Sequence, residues 1–261
     1  MSTARLPSTP CPARQQRGFS LVELMVALAI ALFLLAGLVT IFNNTRVTYK
    51  NQQALAQFQD EQRFAMQLIT SVIESGGYYD NPTADTMDSA LPATGSFGIG
   101  QPFFGTGAAG AAPGDTISVR FRTASNDGII NCLGGQNTSG VEQVYTNEFS
   151  IQAGQLACSL DGGATWVPVV PGVTNLQIYY GVKRLVPVSD YNVDTYVSAA
   201  NMQGTPGTCN GSTAPGCDWQ QVSAVRVILT FINPLAGQPG QQPTLQFERV
   251  IQVMARAGNY S

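Results

Sequence analysis

The chain has 261 residues, 44% of them hydrophobic and 11% charged, with 13 Lys and Arg against 16 Asp and Glu. That composition can bury a core of one or two domains, and it offers no basic field to hold a phosphate backbone, so no nucleic acid partner is expected. Histidine is absent, which removes Ser-His-Asp and Cys-His catalysis and every His-based zinc site; without a P-loop or dinucleotide fingerprint either, no enzyme activity and no cofactor is expected.

The first 18 residues carry Arg5, Arg14 and Arg17 and no acid, leaving 10 bases against 16 acids in the remainder. Directly after them, Leu24 to Phe42 runs without a charge or a proline. Counted from Phe19 this segment is about 36 Å long as a helix, enough to cross a hydrocarbon core of about 30 Å. A secretory signal would have a shorter apolar region, roughly 7 to 15 residues, and an A-x-A-like cleavage site, which is not cleanly placed here. The basic start predicts a single pass through the inner membrane, with the N-terminus cytoplasmic and the bulk of the chain periplasmic.

The helix is predicted to continue, because Asn43 to Ser75 contains no proline or glycine and spaces Leu55, Phe58, Ala65, Ile69 and Val72 on one helical face. The other face carries Lys50, Gln52, Gln59, Asp60 and Arg63, and Ser75-Gly76-Gly77 supplies a stop. Residues 76–115, rich in Gly, Pro, Ala and Ser, read as irregular loop. Alternating strand patterns follow at Thr116–Arg122, Phe149–Gln152, Leu176–Tyr180, Val222–Phe231 and Leu245–Val253. The expected fold class is therefore α+β: one helix of roughly 55 residues, with a transmembrane half and an amphipathic half, packed on a mainly antiparallel β-sheet head.

Five cysteines, Cys11, Cys132, Cys158, Cys209 and Cys217, leave an odd thiol in an exported chain, and removal of Cys11 would leave four. Two disulfides are then expected in an oxidising compartment. Of the three connectivities, sequence proximity favours Cys132 with Cys158 and Cys209 with Cys217. Asp190, Asn192 and Asp194 alternate as calcium ligands could, yet the glycine turn and closing glutamate of an EF-hand are missing, so a solvated turn is the reading taken and no metal is expected. Trp166 and Trp219 read as core or interface aromatics.

Immediately before the apolar run stands Arg17-Gly18-Phe19-Ser20-Leu21-Val22-Glu23-Leu24. Here the sequence resembles the type IV prepilins and the type II secretion pseudopilins. The resemblance implies cleavage by prepilin peptidase between Gly18 and Phe19, N-methylation of Phe19, and an assembly role for Glu23, whose carboxylate would pair with the terminal amine of a neighbouring subunit. A carboxylate in a bilayer is independently expensive, around 2.5 to 3.5 kcal/mol at the centre, and calls for a partner. Ser20-x-x-Glu23 also matches a capping box, and an acid in the first turn suits the helix dipole. Gly37, with Asn43 and Asn44, marks a stretch that the family often loosens on filament entry.

Further on, Pro171-Gly172-Val173-Thr174-Asn175-Leu176-Gln177-Ile178-Tyr179-Tyr180-Gly181 and Trp219-Gln220-Gln221-Val222-Ser223-Ala224-Val225-Arg226-Val227 are similar to strands of PilW-like minor pilins, with Asp190 to Tyr196 in the place of their Asp-rich loop. The resemblance implies a type IV pilin-like fold with a cleaved leader at 1–18, a transmembrane segment at 19–42, an amphipathic continuation at 43–76 and a periplasmic head at 77–261. It also implies a low-abundance subunit that primes pilus assembly at or near the tip, beside major and other minor pilins and an adhesin-like protein. The J-type pseudopilin of type II secretion shares this head and is the alternative.

Overall fold

The computed structural model describes residues 18–107, 114–182, 192–202 and 219–257. Helix α1 spans Leu21–Glu74, 54 residues. It opens with the Leu24 N–H donating to the Ser20 carbonyl at 3.2 Å, and it closes where the Gly76 N–H bonds back to Ile73 and Gly77 takes φ +77°. The glycine pair predicted as a stop is the stop. Gly76 has a second reason to be glycine, since a Cβ there would run into the Phe103 ring. The capping box is a correction: Ser20 contributes its carbonyl, and among the described residues no side-chain capping bond joins it to Glu23.

The chain divides into two compact units, Met1–Gln52 and Gln53–Ser261. In the first, α1 is apolar all round and bare: its most apolar 18-residue window has none of its surface buried, and Leu24, Leu28, Phe33, Leu35 and Ile41 are each more than half exposed. A helix that is apolar on every side has its partners elsewhere, in lipid or in other helices. Thr40, Thr45 and Thr48 return their hydroxyls to the carbonyls four residues back, which satisfies those polar groups inside the helix itself. Gly37, Asn43 and Asn44 lie within continuous helix.

In the second unit α1 shows the 3.6-residue stripe, with Phe58, Ala65, Met66, Ile69, Val72 and Ile73 buried. Strands β1 (Phe103–Thr106), β2 (Thr116–Thr123), β3 (Gln143–Gln152), β4 (Gln155–Ser159) and β5 (Val167–Pro171) form a five-stranded sheet in that order. Strands β6 (Val173–Val182), β7 (Thr195–Val197), β8 (Ala224–Ile232) and β9 (Thr244–Gln252) form a second sheet in the order β7-β6-β8-β9. Every ladder in both sheets is antiparallel. Phe58 meets Phe231 and Phe247 at 5.7 and 5.8 Å between ring centroids, fixing the helix on the second sheet. Trp219 is buried against Tyr180, at 4.7 Å, and Phe104.

Residues 76–115 are not wholly irregular. They contain β1, and the segment from Tyr78 to Gln101 covers a face of the first sheet that the alternation of β2 marked as polar. Arg120, 1% exposed, donates to the carbonyls of Gln101 (2.6 Å), Pro92 (2.6 Å), Leu91 (3.1 Å) and Gly98 (2.6 Å), and its guanidinium lies 4.7 Å from the Phe97 ring. Burial lowers its pKa to about 10, so it stays charged at neutral pH. Two residues on, Arg122 pairs with Asp80 at 3.0 Å, Asp85 at 2.5 Å and Glu142 at 3.2 Å. One arginine is satisfied by carbonyls and the other by carboxylates, and together they pin a glycine-rich segment that has little apolar surface of its own to bury.

Candidate processing and assembly site

Gly18, Phe19 and Ser20 precede the first turn of α1 without regular structure, and Phe19 is 81% exposed. Space around Gly18 is open, with no atom positioned to meet an added Cβ. Glu23 sits in the first turn, where the unpaired N–H groups of the helix favour an anion. It is the only charged residue from Gly18 to Thr45. An exposed dipeptide thus stands ahead of the helix, with one carboxylate a turn further on.

In the head, Cys132 and Cys158 are joined by a disulfide across 26 residues, both sulfurs buried in the core. Cys209 and Cys217 lie outside the described residues, as do the Arg-rich start and Asp190. Asn192 and Asp194 lead into β7, where the Asp194 N–H donates to the Val182 carbonyl at 3.1 Å. Among the described residues no group of three or more His, Cys, Asp or Glu is placed to hold a metal ion.

Two further features escaped sequence reasoning. Tyr180 is fully buried with its hydroxyl against Gly105, so that any side chain at 105 would collide with it; burial, and then the charge of Asp115, push the phenol well above its usual range. On the first sheet, a cleft of about 550 Å³ is lined by Phe97, Phe104, Arg120, Glu148, Leu160 and Asp161. There burial and the neighbouring Asp161 raise the Glu148 carboxyl above its ordinary value. Asp161 is lowered to about 2 by hydrogen bonds from the Ser159 hydroxyl (2.6 Å) and the Thr165 N–H (2.8 Å).

Two family profiles match this chain. The prokaryotic N-terminal methylation motif matches residues 13–39, which span Gly18, Phe19 and Glu23, and the family described as Type IV Pilus-assembly protein W matches residues 135–251, from the loop before β3 to the end of β9. Pilin-like protein PilA3 of Thermus thermophilus is 32% identical over 113 residues, covering 43% of this chain and 44% of that protein. The chain thus spans less than half the length of the curated relative it matches. A solved type IV-like pilin from Thermus thermophilus aligns over 77% of this chain and 99% of its own at 14% identity, with a TM-score of 0.38.

A methylation motif, a bare apolar helix and a β-rich head in one polypeptide make the chain similar to the type IV pilins. Over residues 135–251 the chain is similar to the PilW-like members of that family. Pilins are structural subunits, and the N-terminal helix with its motif points to membrane anchoring.

Proposed function

We propose that the chain is a minor pilin that is cleaved by prepilin peptidase between Gly18 and Phe19, methylated on Phe19, and then built into a type IV pilus at or near its tip. The observation that carries this reading is the joint occurrence of a methylation motif at residues 13–39 and a PilW-type head at residues 135–251. Before assembly, α1 holds the protein once across the inner membrane, N-terminus inside and head in the periplasm, in keeping with the basic residues ahead of it. In the filament, Glu23 pairs with the Phe19 amine of a neighbour, so that docking in register relieves an expensive buried carboxylate. Its partners are then the major pilin, other minor pilins and an adhesin-like tip protein.

The test is deletion of the gene with complementation, counting surface pili and assaying export of type II secretion substrates in the same cells. Lost piliation with normal export is the expected result. Normal pili with failed export would assign the chain to a secretion pseudopilus instead.

A further inference from the structure

Sheet edges are places where another backbone can add, and folds usually blunt them. Among the described residues three of the four edges are blunted: β1 has four residues, β7 has three, and β5 carries Pro168 and Pro171. The fourth, β9, is nine residues long, contains no proline, and pairs with β8 from Thr244 to Gln252 without a bulge. At its two ends the Val253 N–H bonds to Ser223 and the Asn233 N–H bonds to the Pro243 carbonyl. In an antiparallel ladder hydrogen-bonded pairs alternate, so the odd residues of β9 face β8. The N–H and C=O groups of Thr244, Gln246, Glu248, Val250 and Gln252 therefore face away from the sheet, along an open edge. Only an extended backbone offers acceptors and donors at that repeat.

A slot of about 610 Å³ runs beside this edge, between β9 and α1, lined by Gln62, Arg63, Met66, Thr70, Phe247 and Arg249 among others. It carries two exposed guanidinium groups. Arg249 donates to the Thr70 hydroxyl at 3.3 Å, and among the described residues neither Arg63 nor Arg249 has a carboxylate partner. Glu248 also borders the slot, but its carboxylate is taken by Arg226 on the opposite face, at 2.7 and 2.9 Å.

We propose that the free edge of β9 receives an extended strand from a different pilin-like subunit, which hydrogen-bonds along β9 and sets an acidic side chain between Arg63 and Arg249. A second copy of this chain does not fit. Any self-pairing that keeps the sheet faces matched opposes the slot-side residues Leu245, Phe247, Arg249 and Ile251 with one another, and none of them is an acid. The inference rests on the assembly reading above and adds to it the edge, the pocket and the charge of the incoming strand.

The experiment places a photo-cross-linking residue in the full chain in its own piliated cells, at Gln246 on the edge and, separately, at the exposed Tyr49 of α1, and maps the linked residues by mass spectrometry. Gln246 is expected to join a strand of another pilin-like subunit next to an acidic residue. Its yield should fall about tenfold, equivalent to about 1.4 kcal/mol, in Val250→Pro, which removes an edge-facing N–H that β8 does not use. The double variant Arg63→Glu/Arg249→Glu, which leaves the backbone untouched, should lose the product too, and carries the test if Val250→Pro unfolds below the wild-type temperature. Links from Tyr49 but not from Gln246 overturn the strand proposal and leave the assembly reading standing. A Gln246 product undiminished in the charge-reversed variant, or one joined to a second copy of this chain, also overturns it. Absence of links to pilin subunits from both positions overturns both.

Discussion

One helix passes through two kinds of surroundings. From Leu21 to Gln52 none of its apolar side chains is buried among the described residues; from Gln53 to Glu74 a stripe of them is buried in the head. Both stretches obey the same helix chemistry, and they differ in pattern: all-round apolarity in the first, a 3.6-residue period in the second. The first stretch is written for surroundings the chain does not contain, and the second for its own core. Changes in the first should therefore alter assembly without touching stability, and changes in the second should do the reverse.

The sharpest way to break that contrast is Glu23. Glu23→Gln keeps the shape of the first turn and removes the charge. Subunits recovered in sheared filaments should fall at least about tenfold, or about 1.4 kcal/mol, while cleavage after Gly18 and the melting temperature of the head stay unchanged. Normal incorporation would sink the pairing with the Phe19 amine. On the other side of the contrast, Ile69 is fully buried, so Ile69→Ala should cost about 2–5 kcal/mol of head stability in thermal unfolding. Leu32→Ala, at a residue 66% exposed, should cost the head nothing measurable. Equal shifts for the two would mean that the first stretch is not independent of the core.

The contrast also explains what the sequence made legible. The helix, its stop at Gly76-Gly77 and the strands around Val119, Ile178, Val227 and Phe247 carry strong periods, and they lie where expected. Strands β4 and β5 were not read, because β4 follows a tight turn at Ala153-Gly154, both at positive φ, where alanine hides the usual Asn-Gly signal, and because β5 contains two prolines. The cover over the first sheet was missed for a different reason. Ser118, Arg120 and Arg122 look like a solvent face in sequence, and only the long-range bonds that the two arginines donate to Leu91, Pro92 and Asp80 show that the face is closed. The methylation motif was legible because a motif is local. Arg63 and Arg249, far apart in sequence, share a slot only after folding.

That closed face gives the next prediction. Arg120→Met deletes a charge that four carbonyls were turned towards and leaves them without donors, so the head should lose about 3 kcal/mol or more in denaturant unfolding. Arg120→Lys should rescue only part of this, because an ammonium cannot reproduce the planar fork that reaches Gln101, Pro92, Leu91 and Gly98 together. Full rescue by lysine would show that the loop needs a cation there and not that geometry.

The smallest effect separates two acids of the same cleft. Glu148 has its carboxyl raised above the ordinary 4.5 by burial and by Asp161, so folding favours its protonated form. Its penalty is absent below the unfolded pKa, grows as pH rises through the folded value, and is complete above that. Asp161 has the opposite sign: held near 2 by Ser159 and Thr165, its contribution is present above the unfolded value of about 3.8 and fades as pH falls towards 2. Glu148→Gln should therefore stabilise the head at pH 7, by less than about 1 kcal/mol given partial solvent screening and read as a raised melting temperature, and have no effect at pH 3, where Glu148 is protonated folded or unfolded. A gain that persists at pH 3 would make it a matter of packing rather than charge, and a loss at pH 7 would mean that the Glu148 carboxylate has a favourable partner in the cleft.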